Sequence, residues 1–159
     1  MSRRAFIEQL TELAEKDSSV VLIVGDVGFS FLEPYCKRFP KQFLNIGICE
    51  QSMMNFAVGM ANMDMKPYVY TMSNFILLRP NEQLRNNICY GNSNVKLFGV
   101  KGSEAYKFLG MSHNLYGTEE ADLLKNLPNI NTYFPESEQQ TKDFMEKEYQ
   151  RVGPSYTRI

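Results

Sequence analysis

Residues 20–24 read VVLIV, an unbroken run of valine, leucine and isoleucine with no polar interruption. A strand with one face in water alternates apolar and polar side chains, so a continuous run requires cover on both faces. Strands of that kind belong to parallel sheets sandwiched between helices. The neighbouring sequence supplies the helices. Residues 3–16 place Phe6, Ile7, Leu10, Leu13 and Ala14 on one helical face. Residues 31–39 read as a short helix or irregular turn closed by Pro40, and Pro80 opens a helix through Cys89 from a first-turn position that needs no N–H. Thr118 is positioned to cap a helix through Lys125, and Ser137 to cap a charged one to Tyr149. Strands are expected at 43–46, 67–71, 95–100, 131–134 and 155–158, with a long loop at 101–114. The alternation predicts an α/β fold in three layers, a mostly parallel sheet with helices on both faces, formed by residues 1–159 as a single domain.

The stretch from Asn45 to Phe75, NIGICEQSMMNFAVGMANMDMKPYVYTMSNF, is the centre of this plan. Gly47 turns the chain out of a strand, and Glu50 opens a helix on which Met53, Met54, Ala57, Val58 and Ala61 recur at three- and four-residue steps. Gly59 would let another backbone approach that helix closely. A carboxylate in the first helical turn is ordinarily stabilised by the helix dipole alone. Glu50, however, follows a strand and a glycine, and so falls at the carboxyl end of the sheet, where open α/β folds place ligands. Asp26, in Gly25-Asp26-Val27-Gly28 after the VVLIV strand, holds the same kind of position; a loop-capping role is the ordinary alternative for it.

Composition excludes some functions. Seventeen basic against eighteen acidic residues leave a net charge of −1, with no basic field for nucleic acid and no polybasic patch for a membrane. No stretch approaches the ~20 apolar residues that span a bilayer. Three cysteines (Cys36, Cys49, Cys89) include no CxxC pair and read as free thiols, so a cytoplasmic setting is expected and a metal site is not.

The string GICEQSMMNFAVGMA resembles the GIxEQ helix of the transketolase family, in the domain that holds the aminopyrimidine ring of thiamine diphosphate. GMSHNLYGTEEADLLKNLPNINTYFPES is similar to the same family's G-x-S-H segment with its Leu-Pro-Asn and strand-Pro elements, and the likeness runs from the first helix to the final GPSYTRI. The resemblance implies a thiamine diphosphate-binding fold and a two-carbon ketol transfer between sugars or sugar phosphates. Glu50 would hold the proton at ring nitrogen N1′, which makes the cofactor's own 4′-amino group basic enough to act. Phe75 would stack on the ring, with Met72 and Leu78 walling the same pocket and Asp26 beside it. His113 would reach the reacting centre. Ser30, Lys101 and Leu109 match substrate-side positions; Lys101 stands where the family holds a substrate phosphate, and Leu109 where it carries an aspartate.

Gly25-Asp26-Val27-Gly28 does not reproduce the Gly-Asp-Gly motif that, with a later asparagine, holds Mg²⁺ and the diphosphate in the family's other cofactor domain. The resemblance therefore implies one subunit of a split enzyme. Its partner would be a diphosphate-binding subunit carrying the Mg²⁺, in a heterotetramer with two copies of each. Met53, Met54 and Phe75 are expected to present apolar surface for that partner to cover. The rival readings are the β-type subunit of a 2-oxoacid dehydrogenase or decarboxylase, and a non-catalytic assembly or regulatory module on the same fold.

Overall fold

The structure, a computed structural model, describes residues 2–102 and 104–159. Six strands form one sheet: β1 (Val20–Val24), β2 (Phe43–Asn45), β3 (Lys66–Met72), β4 (Lys96–Val100), β5 (Asn131–Tyr133) and β6 (Ser155–Arg158), in the order β2-β1-β3-β4-β6-β5. Every pairing is parallel, so the sheet is more uniform than the expected mostly parallel one. Helices α1 (Ser2–Lys16), α2 (Glu33–Arg38), α3 (Glu50–Ala61), α4 (Ser73–Leu77), α5 (Asn81–Gln83), α6 (Glu119–Leu124) and α7 (Glu138–Gln150) connect the strands, with a π-helical segment at Leu84–Tyr90 and 3-10 turns at Glu104–Ser112.

The pleat of β1 explains the layers. Val20, Leu22 and Val24 join Phe6 and Leu10 of α1, Tyr35 of α2 and Met145 of α7 in one core. Val21 and Ile23 point the other way and pack with Met53 and Ala57 of α3, Ile76 of α4 and Leu124 of α6. All five residues of β1 are buried, as a strand covered on both faces must be.

Several local expectations are corrected. The strand expected at 67–71 runs from Lys66 to Met72, and the chain then turns at Ser73 into α4, an unexpected helix whose five residues are all buried. Pro80 stands just before α5 rather than at its first position. The long loop at 101–114 contains 3-10 turns, broken at Gly110 (φ 57°, ψ −146°). Ser137 caps α7 by accepting from the Gln140 N–H at 3.1 Å, but the Thr118 hydroxyl makes no cap to α6 and donates instead to Asp122 at 2.8 Å. A Cβ on Gly59 would meet nothing within 4 Å, so among the described residues no other backbone approaches there. Met53 and Met54 are fully buried and Phe75 nearly so; the exposed apolar groups near the start and along the outer face of α3 are Ile48, Phe56 and Met63. Among the described residues, no helix is long and apolar enough to cross a membrane.

Candidate functional site

The strand order reverses between β1 and β3: the chain leaves β1 toward β2 on one side, and β3 and β4 lie on the other. Loops leaving the carboxyl ends of strands on either side of such a point diverge and open a crevice. Here it is a cavity of 260 Å³ lined by Asp26 after β1, Met72 at the end of β3, Phe75 in α4, and Tyr106 and His113 after β4. Gly28 shapes its floor. It has φ +90°, and a Cβ there would lie 2.5 Å from Leu32 Cδ1. Asp26 also takes a positive φ of 55° and is braced by Asn45, whose Oδ1 accepts the Asp26 N–H at 3.0 Å.

Glu50 lies on the far side of Phe75. It is the first residue of α3, only 5% exposed, and Arg79 Nη1 donates to its Oε1 at 2.6 Å. The same guanidinium lies over the Phe75 ring, 3.6 Å from its centroid. A buried carboxylate and an aromatic face thus converge on one planar, positively charged hydrogen-bond donor, an arrangement that combines a charge-assisted bond with a cation–π contact.

The other edge of Phe75 meets His113, edge-on with ring centroids 5.0 Å apart, and Tyr106 stacks beyond it at 6.4 Å. Ser112 Oγ donates to the Leu109 carbonyl at 2.6 Å and lies 2.8 Å from His113 Nδ1. A hydroxyl has one proton to give. With it on Leu109, Nδ1 must donate to Ser112, and Nε2 keeps the free lone pair, a tautomer assigned by hydrogen-bond satisfaction. Asn74, buried in α4, donates to the Ser112 carbonyl at 2.6 Å, and Asn114 donates to the Tyr106 and Gly110 carbonyls at 3.0 and 2.8 Å. These amides fix the turn that carries His113. Thr71, fully buried among the cavity-lining residues, has a hydroxyl with no hydrogen-bond partner among the described residues. Burial raises the Tyr70 phenol above its ordinary value, against the pull of Arg3, and keeps it neutral in the same wall.

The remaining expected site residues lie elsewhere. Leu78 is 46% exposed at the C-cap of α4, one residue past the buried helix, and does not line the cavity. Lys101 follows β4 and lines a separate hollow of 520 Å³ with Glu120 and Arg158. Ser30 is exposed, with its N–H donated to Glu33 Oε1 at 2.7 Å at the start of α2. Leu109 is half-buried, and neither hollow includes its side chain. Sequence reasoning missed Arg79, Asn74, Ser112 and Tyr106. Arg79 had a readable signal, since it stands four residues after Phe75 and residues at that spacing share a helical face. Among the described residues, no three histidine, cysteine or acidic side chains gather as a metal cluster.

The family described as transketolase, pyrimidine binding domain, matches residues 1–159. One of the similar relatives, an apulose-4-phosphate transketolase subunit of Phocaeicola vulgatus, is 32% identical over 159 residues, covering 95% of this chain and 50% of the relative. The protein of the same name from Actinobacillus succinogenes is 28% identical over 154 residues, covering 96% and 49%. A solved structure described as a split gene transketolase, inactive beta4 tetramer, superposes with a TM-score of 0.86 at 31% identity, over 99% of this chain and 50% of that one. The chain spans about half the length of these relatives. With the family match running over the whole chain and a solved relative sharing its fold, this chain belongs to the transketolase pyrimidine-binding domain family.

Proposed function

We propose that this chain supplies the aminopyrimidine half of a thiamine diphosphate site in a split transketolase-type enzyme that moves a two-carbon ketol unit between sugar phosphates. The observation that carries the reading is the convergence of Glu50 and the Phe75 face on one planar cation, because a protonated aminopyrimidine is such a group. The residues present therefore fit the ring. Glu50 and Phe75 would hold that ring, and the cofactor would supply a carbon nucleophile together with a cationic ring that takes up electrons during ketol transfer.

Glu50 holds a proton at the ring nitrogen, Phe75 takes the ring's face, and Met72 closes the wall beside it. His113 presents the Nε2 lone pair toward the reacting centre, while Asn74 and Ser112 hold its turn and tautomer. Asp26 borders the cavity, and Ser30, Lys101 and Leu109 belong to the substrate side, with Lys101 drawing an anionic group. The names of the two curated relatives support a phosphorylated sugar as substrate. The diphosphate and its Mg²⁺ belong to a partner subunit, with two copies of each chain in the active complex. The relative described as an inactive beta4 tetramer supports a chain that is inactive alone.

The test is calorimetry with thiamine diphosphate and Mg²⁺ on this chain alone and on the assembled complex, followed by proton exchange at the thiazolium carbon in the complex. The chain alone should bind weakly or not at all. Glu50→Gln should leave fold and assembly intact and abolish most exchange. Micromolar binding by the chain alone would overturn the shared site, and unaltered exchange in the variant would overturn the role of Glu50.

A further inference from the structure

We infer that Arg79 is a placeholder for the cofactor ring: its guanidinium fills the space between Phe75 and Glu50 while the ring is absent, and must leave before the ring enters. The inference rests on the cofactor reading above and concerns how that site is loaded.

The guanidinium reproduces what the ring would offer. It is flat, it carries positive charge, and it donates to Glu50 Oε1 at 2.6 Å while stacking 3.6 Å from the Phe75 centroid. At 3.6 Å there is no room for a second planar group on the same ring face. Ring and guanidinium therefore exclude one another.

The fold makes the exchange easy. Arg79 belongs to the short connection between α4 and α5, and its side chain is 42% exposed, so it can swing into water without unfolding anything. Its backbone stays tethered at the start of α3, where Gln51 Nε2 donates to the Arg79 carbonyl at 3.4 Å. The contact also serves Glu50. Without Arg79, the buried Glu50 carboxylate would have no cation beside it among the described residues, a costly arrangement when desolvated. Loading then replaces one cationic partner of Glu50 by another, and Glu50 stays paired before and after.

A site that is mostly occupied by its own side chain binds with an affinity reduced by the fraction of molecules in which it is free. For a half-exposed ion pair reinforced by a cation–π contact, that reduction is roughly tenfold. The experiment titrates thiamine diphosphate in Mg²⁺ into the assembled complex of the unaltered chain, Arg79→Ala and Arg79→Lys, with stopped-flow measurement of loading. Arg79→Ala should bind about tenfold tighter and load faster, with Arg79→Lys between, since an ammonium pairs with Glu50 but cannot cover the ring. Equal or weaker binding by Arg79→Ala overturns the placeholder and leaves the cofactor reading standing. Absence of binding in the unaltered complex and both variants overturns the cofactor reading with it. Should Arg79→Ala fail to assemble, a crystal structure of the unaltered complex with cofactor decides: Arg79 displaced supports the inference, and Arg79 still on Glu50 and Phe75 overturns it.

Discussion

Glu148→Ala should cost this chain a large share of its stability while leaving the candidate site untouched. Glu148 lies on α7 with its side chain 4% exposed, facing the start of β4, where Lys96 is 3% exposed. Its carboxylate accepts from Arg151 Nε at 2.8 Å, Tyr133 Oη at 2.7 Å, Asn131 Nδ2 at 3.0 Å and Lys96 Nζ at 3.5 Å. Burial pushes the Lys96 amine down to about 8, against the upward pull of Glu148, yet it still carries its proton at pH 7. The carbonyls of Gly153 and Arg151 take its other two donors, at 2.7 and 3.0 Å. Removing the carboxylate leaves a buried ammonium, and a half-buried phenol and amide, short of a partner. Breaking a buried pair from one side costs about 3–5 kcal/mol, against a total of roughly 5–15 for a domain. Urea unfolding at pH 7 measures the loss as a shift in midpoint at constant slope. The network sits where β4, β5 and β6 begin, the sheet edge opposite the cavity, so cofactor affinity per folded molecule should not move. A loss below about 1 kcal/mol would refute the reasoning, because the ammonium would then need no carboxylate.

Acid should find the same group. Burial works to raise the Glu148 carboxyl, but its hydrogen bonds to Arg151, Asn131 and Tyr133 and the Lys96 charge outweigh it and hold the group at about 2, below the ordinary 4.5. The folded form thus prefers the carboxylate, so its contribution is present above pH 4.5 and lost as pH falls toward 2, on the order of 3 kcal/mol in all; Glu148→Gln should flatten that part of a stability-versus-pH curve. Gly28→Ala, which sets a methyl 2.5 Å from Leu32 Cδ1 at φ +90°, should lower the melting temperature by the equivalent of about 1–3 kcal/mol. Ser112→Ala frees the His113 ring and should lower turnover in the assembled complex by roughly fivefold to tenfold, with an altered pH profile and unchanged melting. Ser137→Ala removes the α7 cap and should cost about 1 kcal/mol in urea unfolding.

The parallel layers were legible because β1 carries its burial in its composition, and α1 because Phe6, Leu10 and Leu13 keep helical spacing. Helix α4 was not. Its five residues are all buried, the polar Ser73 and Asn74 included, so Ser73–Leu77 has no exposed polar face to mark a helical period, and no helix was expected directly after the strand at 67–71. The cost fell on the site, since the pairing of Phe75 with Arg79 depends on the turn that α4 makes. The π-helical segment was hidden for a related reason: Leu84, Ile88 and Cys89 keep ordinary helical spacing, and the i to i+5 bonding shows only in the backbone. Glu50 was legible in position, as the residue that opens α3 at the carboxyl end of the sheet. Leu78 was not, because a match to a motif gives the place in the chain and not the direction of the side chain as a buried helix ends.

Leu109 separates two functions that a single residue can hold. Its carbonyl accepts the Ser112 hydroxyl at 2.6 Å and so belongs to the bracing of His113, whatever the side chain. Gly110, at φ 57° and ψ −146°, turns the chain between them, which puts position 109 and His113 on one short, braced turn. On the proposed function, the side chain is the part of Leu109 left to bear on substrate choice. Family members carry an aspartate there, and a leucine gives a sugar hydroxyl nothing to bond. Leaving that hydroxyl without a partner in a closed site costs on the order of 1–3 kcal/mol, roughly tenfold to a hundredfold in rate. If the proposed ketol transfer holds, the acceptor is expected to lack the hydroxyl next to the reacting carbon or to carry it in another configuration. Paired aldehydes differing only at that hydroxyl, assayed with the assembled complex, should show the preference, and Leu109→Asp should reverse it by restoring an acceptor. Cofactor affinity should stay constant, since the Leu109 carbonyl and its bond to Ser112 survive the change. If the unaltered enzyme already favours the ordinary hydroxylated aldose phosphate by a large factor, the side chain at 109 does not select the substrate and the argument fails.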